Sequence, residues 1–465
     1  MSDGALLDLV SRGRKDTYFT SPTAARSWFS TSYERRSGST RDVRFVYPEA
    51  PARFGGWVDI ELPRGGDILM EAEIRIRMPT WLPSDVVRMN NTHAVTVESR
   101  AWPGTFLHYG WTNGIANYLV RRWALYADTA LIVDGYGAFN SWFPDMNTTH
   151  FQAPLLHEST GTHTGTARSI QRAATPASEL VFRVPLMGCQ GDRDVGLPLC
   201  ALKGQRLYVR LWLPPLAELV ESSLKDLSGG LPVYEVCPEP WGGRAIRING
   251  AASPYVTLPD YEVGHPQVYG RFAVLNLEEE ARRALSAVPH SIPFRRQVRE
   301  DFVLAEGAFT PTTLFKRRLD IFGYFQALFV GITSTTRLQQ NKYRDIMPPG
   351  GGEWLAELSL NVNGQERIQS WPAKKFRELA MNTQLRRDVE TAALYYLVFG
   401  VSPYRHEPAG CCDLTRTQKV LLNMRLETVP ADPATGSTEA AASVMGLGWN
   451  VFDIRDGAGR LRFTD

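Results

Sequence analysis

The chain has 465 residues, 43% of them hydrophobic, enough apolar material for two or three packed domains. Its 51 basic and 49 acidic residues leave a net charge of +2, which disfavours a protein that coats nucleic acid by neutralising phosphates. The 39 glycines and 30 prolines suit a chain with many turns and fall short of a collagen-like or disordered composition.

Residues 3–12 have the pattern of a short amphipathic helix, with Leu6, Leu7 and Val10 on one face and Asp3 at the cap. At that length it needs something to dock on. Asp3 and Asp8 interrupt the apolar stretch, so no secretory signal is expected there. Strand signals follow. In Glu73–Met78 apolar residues alternate with charges, the period of a half-buried strand. The uncharged run 101–120 is broken by Pro103, glycines, His108, Asn113 and Asn117, too polar for a membrane span. Trp111, Trp123 and Trp142 lie amid apolar strands and read as core packing in preference to sugar-stacking platforms. Leu207, Val209, Leu211 and Leu213 alternate again.

Helical signals are few. Leu216–Glu221 follows Pro214-Pro215 and is ended by Ser228-Gly229-Gly230. A second helix is expected from Asn276, where Asn276 and Glu279 resemble a capping box and Leu277, Ala281, Leu285 and Val288 form a stripe. Leu319–Val330 reads as one strand buried on both faces, and the overlapping apolar run 321–332 is too short to span a membrane. Leu358, Leu360 and Val362 alternate and run into Asn363-Gly364, a strong hairpin signal because both central residues of the tight turn need positive φ. Val420, Leu422, Met424 and Leu426 form another strand, 430–443 reads as a polar loop, and Trp449–Ile454 alternates once more. These signals divide the chain into a strand-rich half over 26–215, a helical connector over 216–235 and a second strand-rich half over 236–465.

No nucleophile elbow, phosphate loop, H-E-x-x-H or dinucleotide fingerprint is present, and Gly350-Gly351-Gly352 reads as a loop. His150, His157 and His163 are the one histidine cluster, in a Thr/Ser-rich segment that reads as a solvated loop before a metal site. Asp192/Asp194 and Asp453/Asp456 are the acidic pairs worth noting as paired carboxylates. The five cysteines have no zinc-like spacing, and the adjacent Cys411-Cys412 suits free thiols in a reducing compartment. Asn90-Asn91-Thr92 and Asn147-Thr148-Thr149 match the glycan acceptor pattern but read as chance without an export signal. The basic doublets Arg35-Arg36, Arg121-Arg122, Arg295-Arg296 and Arg386-Arg387, with Lys316-Arg317-Arg318, read as solvated faces or strand edges. No catalytic, cofactor-binding or metal-ligating residue is nominated, no cofactor is expected, and the protein is expected not to be an enzyme.

Several segments carry a resemblance in one collinear order. Gly4–Val10 with Lys15–Thr20, Phe29 with Tyr33–Arg36, Ile60–Leu69, the run from Trp111 to Trp142, Val184-Pro185-Leu186 with Val195–Leu202, Pro403 with Glu407–Gly410 and Thr415-Arg416, and Trp449–Ile454 with Gly457 and Gly459 resemble the major capsid proteins of nucleocytoplasmic large DNA viruses. Ala127-Asp128 and Cys411–Leu414 depart from the family's usual glycine pair and Ser/Asn-rich stretch. The resemblance implies an all-β fold of two tandem eight-stranded jelly rolls, with residues 1–25 as an N-terminal arm. It further implies a homotrimer whose six towers give a near-hexagonal outline that tiles an icosahedral shell in the virion, assembled in the host cytoplasm. Neighbouring capsomers, minor capsid proteins beneath the shell and inner-membrane-associated proteins are the expected partners, with no direct contact to nucleic acid. A minor or penton-associated capsid paralogue is one alternative; a double β-sandwich carbohydrate-binding or carbohydrate-active protein is another.

Overall fold

In the computed structural model the described residues are 38–79, 107–143, 153–162, 179–187, 196–224, 265–305, 309, 314–339, 341–344, 346–348, 351–379, 394–401, 408–430 and 438–463, with the short strands 96–97, 100–101, 234–235, 245–248 and 251–257. The arm over 1–25, Asp192/Asp194, His150, His163 and both glycan-type motifs lie outside them.

The first part of the chain carries β1 (Ser39–Val46), β2 (Trp57–Glu61), β3 (Ile68–Arg77), β4 (Thr96–Val97), β5 (Arg100–Ala101), β6 (Leu107–Trp111), β7 (Arg122–Ala127) and β8 (Ala130–Tyr136). Then come β9 (Leu180–Arg183), β10 (Leu197–Pro198), β11 (Leu207–Trp212), β12 (Val220–Leu224), β13 (Tyr234–Glu235), β14 (Ala245–Ile248), β15 (Ala251–Thr257) and β16 (Gln267–Leu277). The remainder carries β17 (His290–Leu304), β18 (Leu314–Leu319), β19 (Tyr324–Ser334), β20 (Leu355–Val362) and β21 (Gln365–Pro372). It ends with β22 (Leu394–Val398), β23 (Cys412–Asp413), β24 (Val420–Leu426), β25 (Ala440–Arg455) and β26 (Ala458–Leu461).

One strand order occurs twice. Sheet β1-β16-β3-β10, with β9 also on β3, shares a core with sheet β2-β11-β7-β8. Sheet β17-β25-β19-β22, with β23 on β19 and β26 on β25, shares a second core with β18-β24-β20-β21. Counting only these core strands along the chain, both read 1-8-3-6 opposite 2-7-4-5, with position 6 filled by two short pieces. That is a jelly roll, made twice. Because successive strands run in opposite directions, the connections fall at alternate ends. Those after strands 1, 3, 5 and 7 (47–56, 78–121, 137–179, 213–266, and in the repeat 305–313, 335–354, 373–393, 427–439) hold nearly all the excursions. The opposite end has tight links: 62–67, 128–129, 320–323 and 363–364.

Alternation in the chain becomes burial where one face meets water. Ala72, Ile74 and Ile76 of β3 and Val420, Leu422, Met424 and Leu426 of β24 point inward between half-exposed neighbours. The hairpin expected at Asn363-Gly364 joins β20 to β21, with φ of 52° and 88°. The Asn363 carboxamide also accepts from the backbone N–H of Gln418 and Lys419. Gly364→Ala should cost about 1–3 kcal/mol, since an alanine gains no contact there and is strained at positive φ; a thermal melt reads the loss. At 128–129 Asp128 itself takes φ 54°, so a tight turn forms without glycine.

Five expectations are corrected. The apolar run 319–330 is two strands: Leu319 ends β18 in one sheet, the chain turns at 320–323, and Tyr324 opens β19 in the other. Apolar content reads alike on either side of a corner. Past Pro215 only Leu216–Glu218 is helical, as one 3-10 turn, and β12 then pairs antiparallel with β6. The second helix is Glu279–Ala287 with Glu278 at its N-cap; Asn276 and Leu277 still belong to β16, and the Leu277 N–H donates to Asp67 at 2.8 Å. The strand Gln267–Leu277, counted with the second half, pairs with β3 and buries Phe272 and Val274 in the first core, so the link between the sandwiches is 278–289 and not 216–235. The polar loop after Pro430 ends by Ala440, where β25 begins.

Candidate functional site: the seam between the sandwiches

Among the described residues, two long strands depart from the half-buried pattern. Phe325–Ser334 of β19 is buried throughout, and most of β25 is too. On β19 Leu328, Val330 and Ile332 alternate with Phe329 and Gly331, which lie on the opposite face. Phe329 meets the edge of Phe139 at 5.6 Å between ring centroids, interplanar angle 89°. A Cβ built on Gly331 would lie 2.6 Å from the Trp142 ring. Phe139 and Trp142 sit on the helix Gly137–Trp142, which follows β8 directly. The outer face of the second sandwich's larger sheet is thus roofed by the fifth-strand edge of the first.

Polar contacts register this seam. The Gln297 carboxamide accepts from the Tyr136 N–H at 2.9 Å. The Arg299 guanidinium lies 5.8 Å from the Tyr136 ring centre. Arg295 is buried, 5.1 Å from the centre of the Phe143 ring and 5.7 Å from that of Trp449, and burial lowers its pKa to about 10. It therefore stays charged near neutral pH; of the two settings expected for its doublet, Arg295 is not on a solvated face, but β17 is an edge strand of its sheet. At the loop-bearing end Thr112 donates to the Asn341 carbonyl at 2.7 Å, and Tyr343 donates to the Glu218 carbonyl at 2.9 Å. Burial pushes the Tyr118 and Tyr343 phenols up, so both remain neutral at physiological pH. A cleft of about 200 Å³ opens there, lined by Tyr118, Arg121, Trp142, Glu218, Arg299 and Tyr343 among others. At the tight end the Gly459 N–H donates to Gln205 at 2.7 Å, and Phe294, Phe452 and Ile454 join the first sandwich's core.

The remaining residues singled out from the sequence have structural settings. Trp111, Trp123 and Trp142 are all buried. His157 lies on the helix Ala153–Thr160, and among the described residues no three His, Cys, Asp or Glu side chains gather as metal ligands do. Asp453 is not paired with Asp456, which sits in the β25–β26 turn at φ 55°. Instead the Asp453 carboxylate accepts from Arg462 at 2.6 Å and from Ser291 at 2.7 Å, and these bonds hold its pKa below the usual aspartate value. A depressed folded pKa stabilises above the unfolded value of about 3.9 and is lost as pH falls through the folded one. Asp453→Asn should therefore flatten the acid side of a melting-temperature profile; an unchanged acid limb would show that this pair contributes nothing to acid sensitivity. Cys200, Cys411 and Cys412 are free thiols, as expected, and burial raises the Cys411 pKa to about 11. The residues that sequence reading missed are Phe139, Gln297, Phe329 and Gly331; the continuous burial of β19 is the trace they left.

No protein-family model matches the chain. The major capsid protein of Trichoplusia ni ascovirus 2c is 23% identical over 381 residues, covering 76% of this chain and 70% of the relative. Among solved structures, the PBCV-1 virus capsid chain superposes with a TM-score of 0.68 at 15% identity, over 94% of this chain and 100% of that one. The Faustovirus major capsid protein gives 0.63 at 10% identity, over 97% and 96%. The chain is thus similar in sequence to a viral major capsid protein, and its likeness to the solved capsid structures shows the fold, a jelly roll made twice in one chain.

Proposed function

We propose that the protein is the structural building block of an icosahedral virion shell, working as a homotrimer whose six sandwiches outline a near-hexagonal tile. The observation that carries this reading is one strand order made twice in one chain, with the two copies joined by a buried seam. A threefold object can then present six similar towers, and its own contacts close by symmetry. The work required is burial and shape complementarity, and a net charge of +2 lets many copies pack without strong mutual repulsion. The outer face of β2-β11-β7-β8 fits such work. Arg210 lies 4.1 Å from the centre of the exposed Trp57 ring while paired with Asp59, and Tyr126 stacks on Tyr208. Tryptophan, tyrosine and arginine are the side chains enriched in protein interfaces.

In this reading assembly takes place in the host cytoplasm. Residues 1–25 are an inward arm that orders on neighbouring capsomers, on minor proteins beneath the shell or on inner-membrane-associated proteins, and nucleic acid is not contacted. Native mass spectrometry of the purified full chain should give three copies of a 52.1 kDa subunit. A species that stays monomeric at every concentration tested rules the reading out. Removing residues 1–20 should leave the trimer intact and impair shell assembly; trimers that fall apart instead would assign those residues to the trimer contact.

A further inference from the structure

We propose that the cleft in the seam is a binding site for a small aromatic carboxylate, a ligand that touches both sandwiches of one chain at once. The site is built within a single copy, so it goes beyond the trimer reading and does not depend on it.

The cleft follows from how side-chain size changes along the seam. β17, β25 and β19 lie side by side, with Arg299 opposite Met445, Asp301 opposite Ser443, Ser443 opposite Gly331 and Ala441 opposite Thr333. Every second residue of these strands turns toward the first sandwich. Over Gly331 the Trp142 ring fills the space. One step nearer the loop-bearing end the floor is Thr333 and Ser443. These side chains are too short to reach the opposite wall, and about 200 Å³ stays open.

That wall is held in place. Tyr118, on the helix Ile115–Leu119, shares a hydrogen bond with the Ser141 hydroxyl at 3.1 Å. Tyr343 is tied at its tip to the Glu218 carbonyl, and the two rings stand 5.1 Å apart at an interplanar angle of 30°. Walls fixed before a ligand arrives lower the ordering cost of binding it.

The lining sets the class of ligand. Tyr118, Tyr343 and Trp142 offer aromatic surface, which favours a flat ring. Arg121 comes from the first sandwich and Arg299 from the second, and with Glu218 they leave the lining one positive charge in excess. Glu218 holds Arg121 at the rim. Arg299 gives its Nε–H to Asp301 at 2.9 Å, which leaves its terminal nitrogens for a ligand. A guanidinium fork matches the two oxygens of a carboxylate. Thr333, only 8% exposed, adds a hydroxyl at the floor. Size narrows the choice further. A dry cavity of about 150 Å³ holds benzene, so this one has room for a single ring with its carboxylate and not for a nucleotide.

The test uses the full chain with benzoate as the probe and benzamide, its uncharged isostere, as the control. Saturation-transfer NMR reads binding, and a thermal melt reads stabilisation. Benzoate should bind saturably and raise the melting temperature, because a ligand that binds only the folded chain stabilises it. Benzamide should bind about tenfold more weakly. Arg299→Gln should lower benzoate affinity about tenfold and leave benzamide as before. Thr333→Phe fills the floor and should abolish binding of both; if that variant does not fold, Arg299→Gln decides alone. Arg64→Gln, exposed at the tight end, should leave binding unchanged. Benzoate that does not bind, that binds as tightly after Arg299→Gln, or that benzamide matches overturns the inference.

Discussion

Trp142→Ala should lower the stability of the chain by about 3–5 kcal/mol, the range for emptying a buried aromatic site, and should split one unfolding transition into two. The ring fills the space above Gly331, on the face of β19 turned toward the first sandwich. Removing it takes away the apolar wedge that ties the two cores, while each core keeps its own strands. The reciprocal change tests the geometry. Gly331→Ala puts a methyl where the ring already is, with a Cβ 2.6 Å from its nearest carbon, and should cost about 1–3 kcal/mol as overpacking. In the Trp142→Ala background the same substitution should be nearly neutral, because the atom it strikes is gone. Urea unfolding of the four proteins gives the coupling directly. Two costs that simply add would mean the ring and the glycine are not neighbours.

Phe272→Ala should cost about 3–5 kcal/mol as well, and the damage should be confined to the first sandwich. Phe272 is fully buried on β16, which pairs with β3 over its whole length although some fifty residues of connection separate β16 from β11. If the chain were divided where composition suggests, at residues 216–235, the loss would appear in the second half. Hydrogen exchange separates the cases: faster exchange in β3 and β11 with β20 and β24 unchanged is expected. The reverse pattern would return β16 to the second sandwich.

Much of this fold is legible in the chain because a strand with one wet face writes its burial as a period of two. Leu207, Val209 and Leu211, or Val420, Leu422 and Met424, need only that period to be placed. Asn363-Gly364 needs only its tolerance of positive φ. The failures are equally physical. Leu319 and Tyr324 belong to different sheets, but an apolar run carries no mark of the corner between them. Val220–Leu224 has a sequence that either state tolerates, and pairing with β6, more than a hundred residues earlier, decides it. Asn276 resembles a cap, but the ladder from β16 to β3 keeps its neighbourhood extended until Glu278.

The seam was the least visible part. Its side chains come from residues near 140, near 300, near 330 and near 445, and no one of those stretches looks unusual alone. Local pattern alone determined that the chain is all-β, turn-rich, without a nucleophile or metal motif, and built in two strand-rich parts, because alternation and turn chemistry act over a few residues. Tertiary structure alone decided that the last strand of the first sandwich lies beyond its longest excursion. It also decided that one sheet face is roofed by the neighbouring sandwich, and that Arg295 stands buried among rings. Those outcomes depend on which distant surfaces meet, and burial between distant surfaces has no period along the chain.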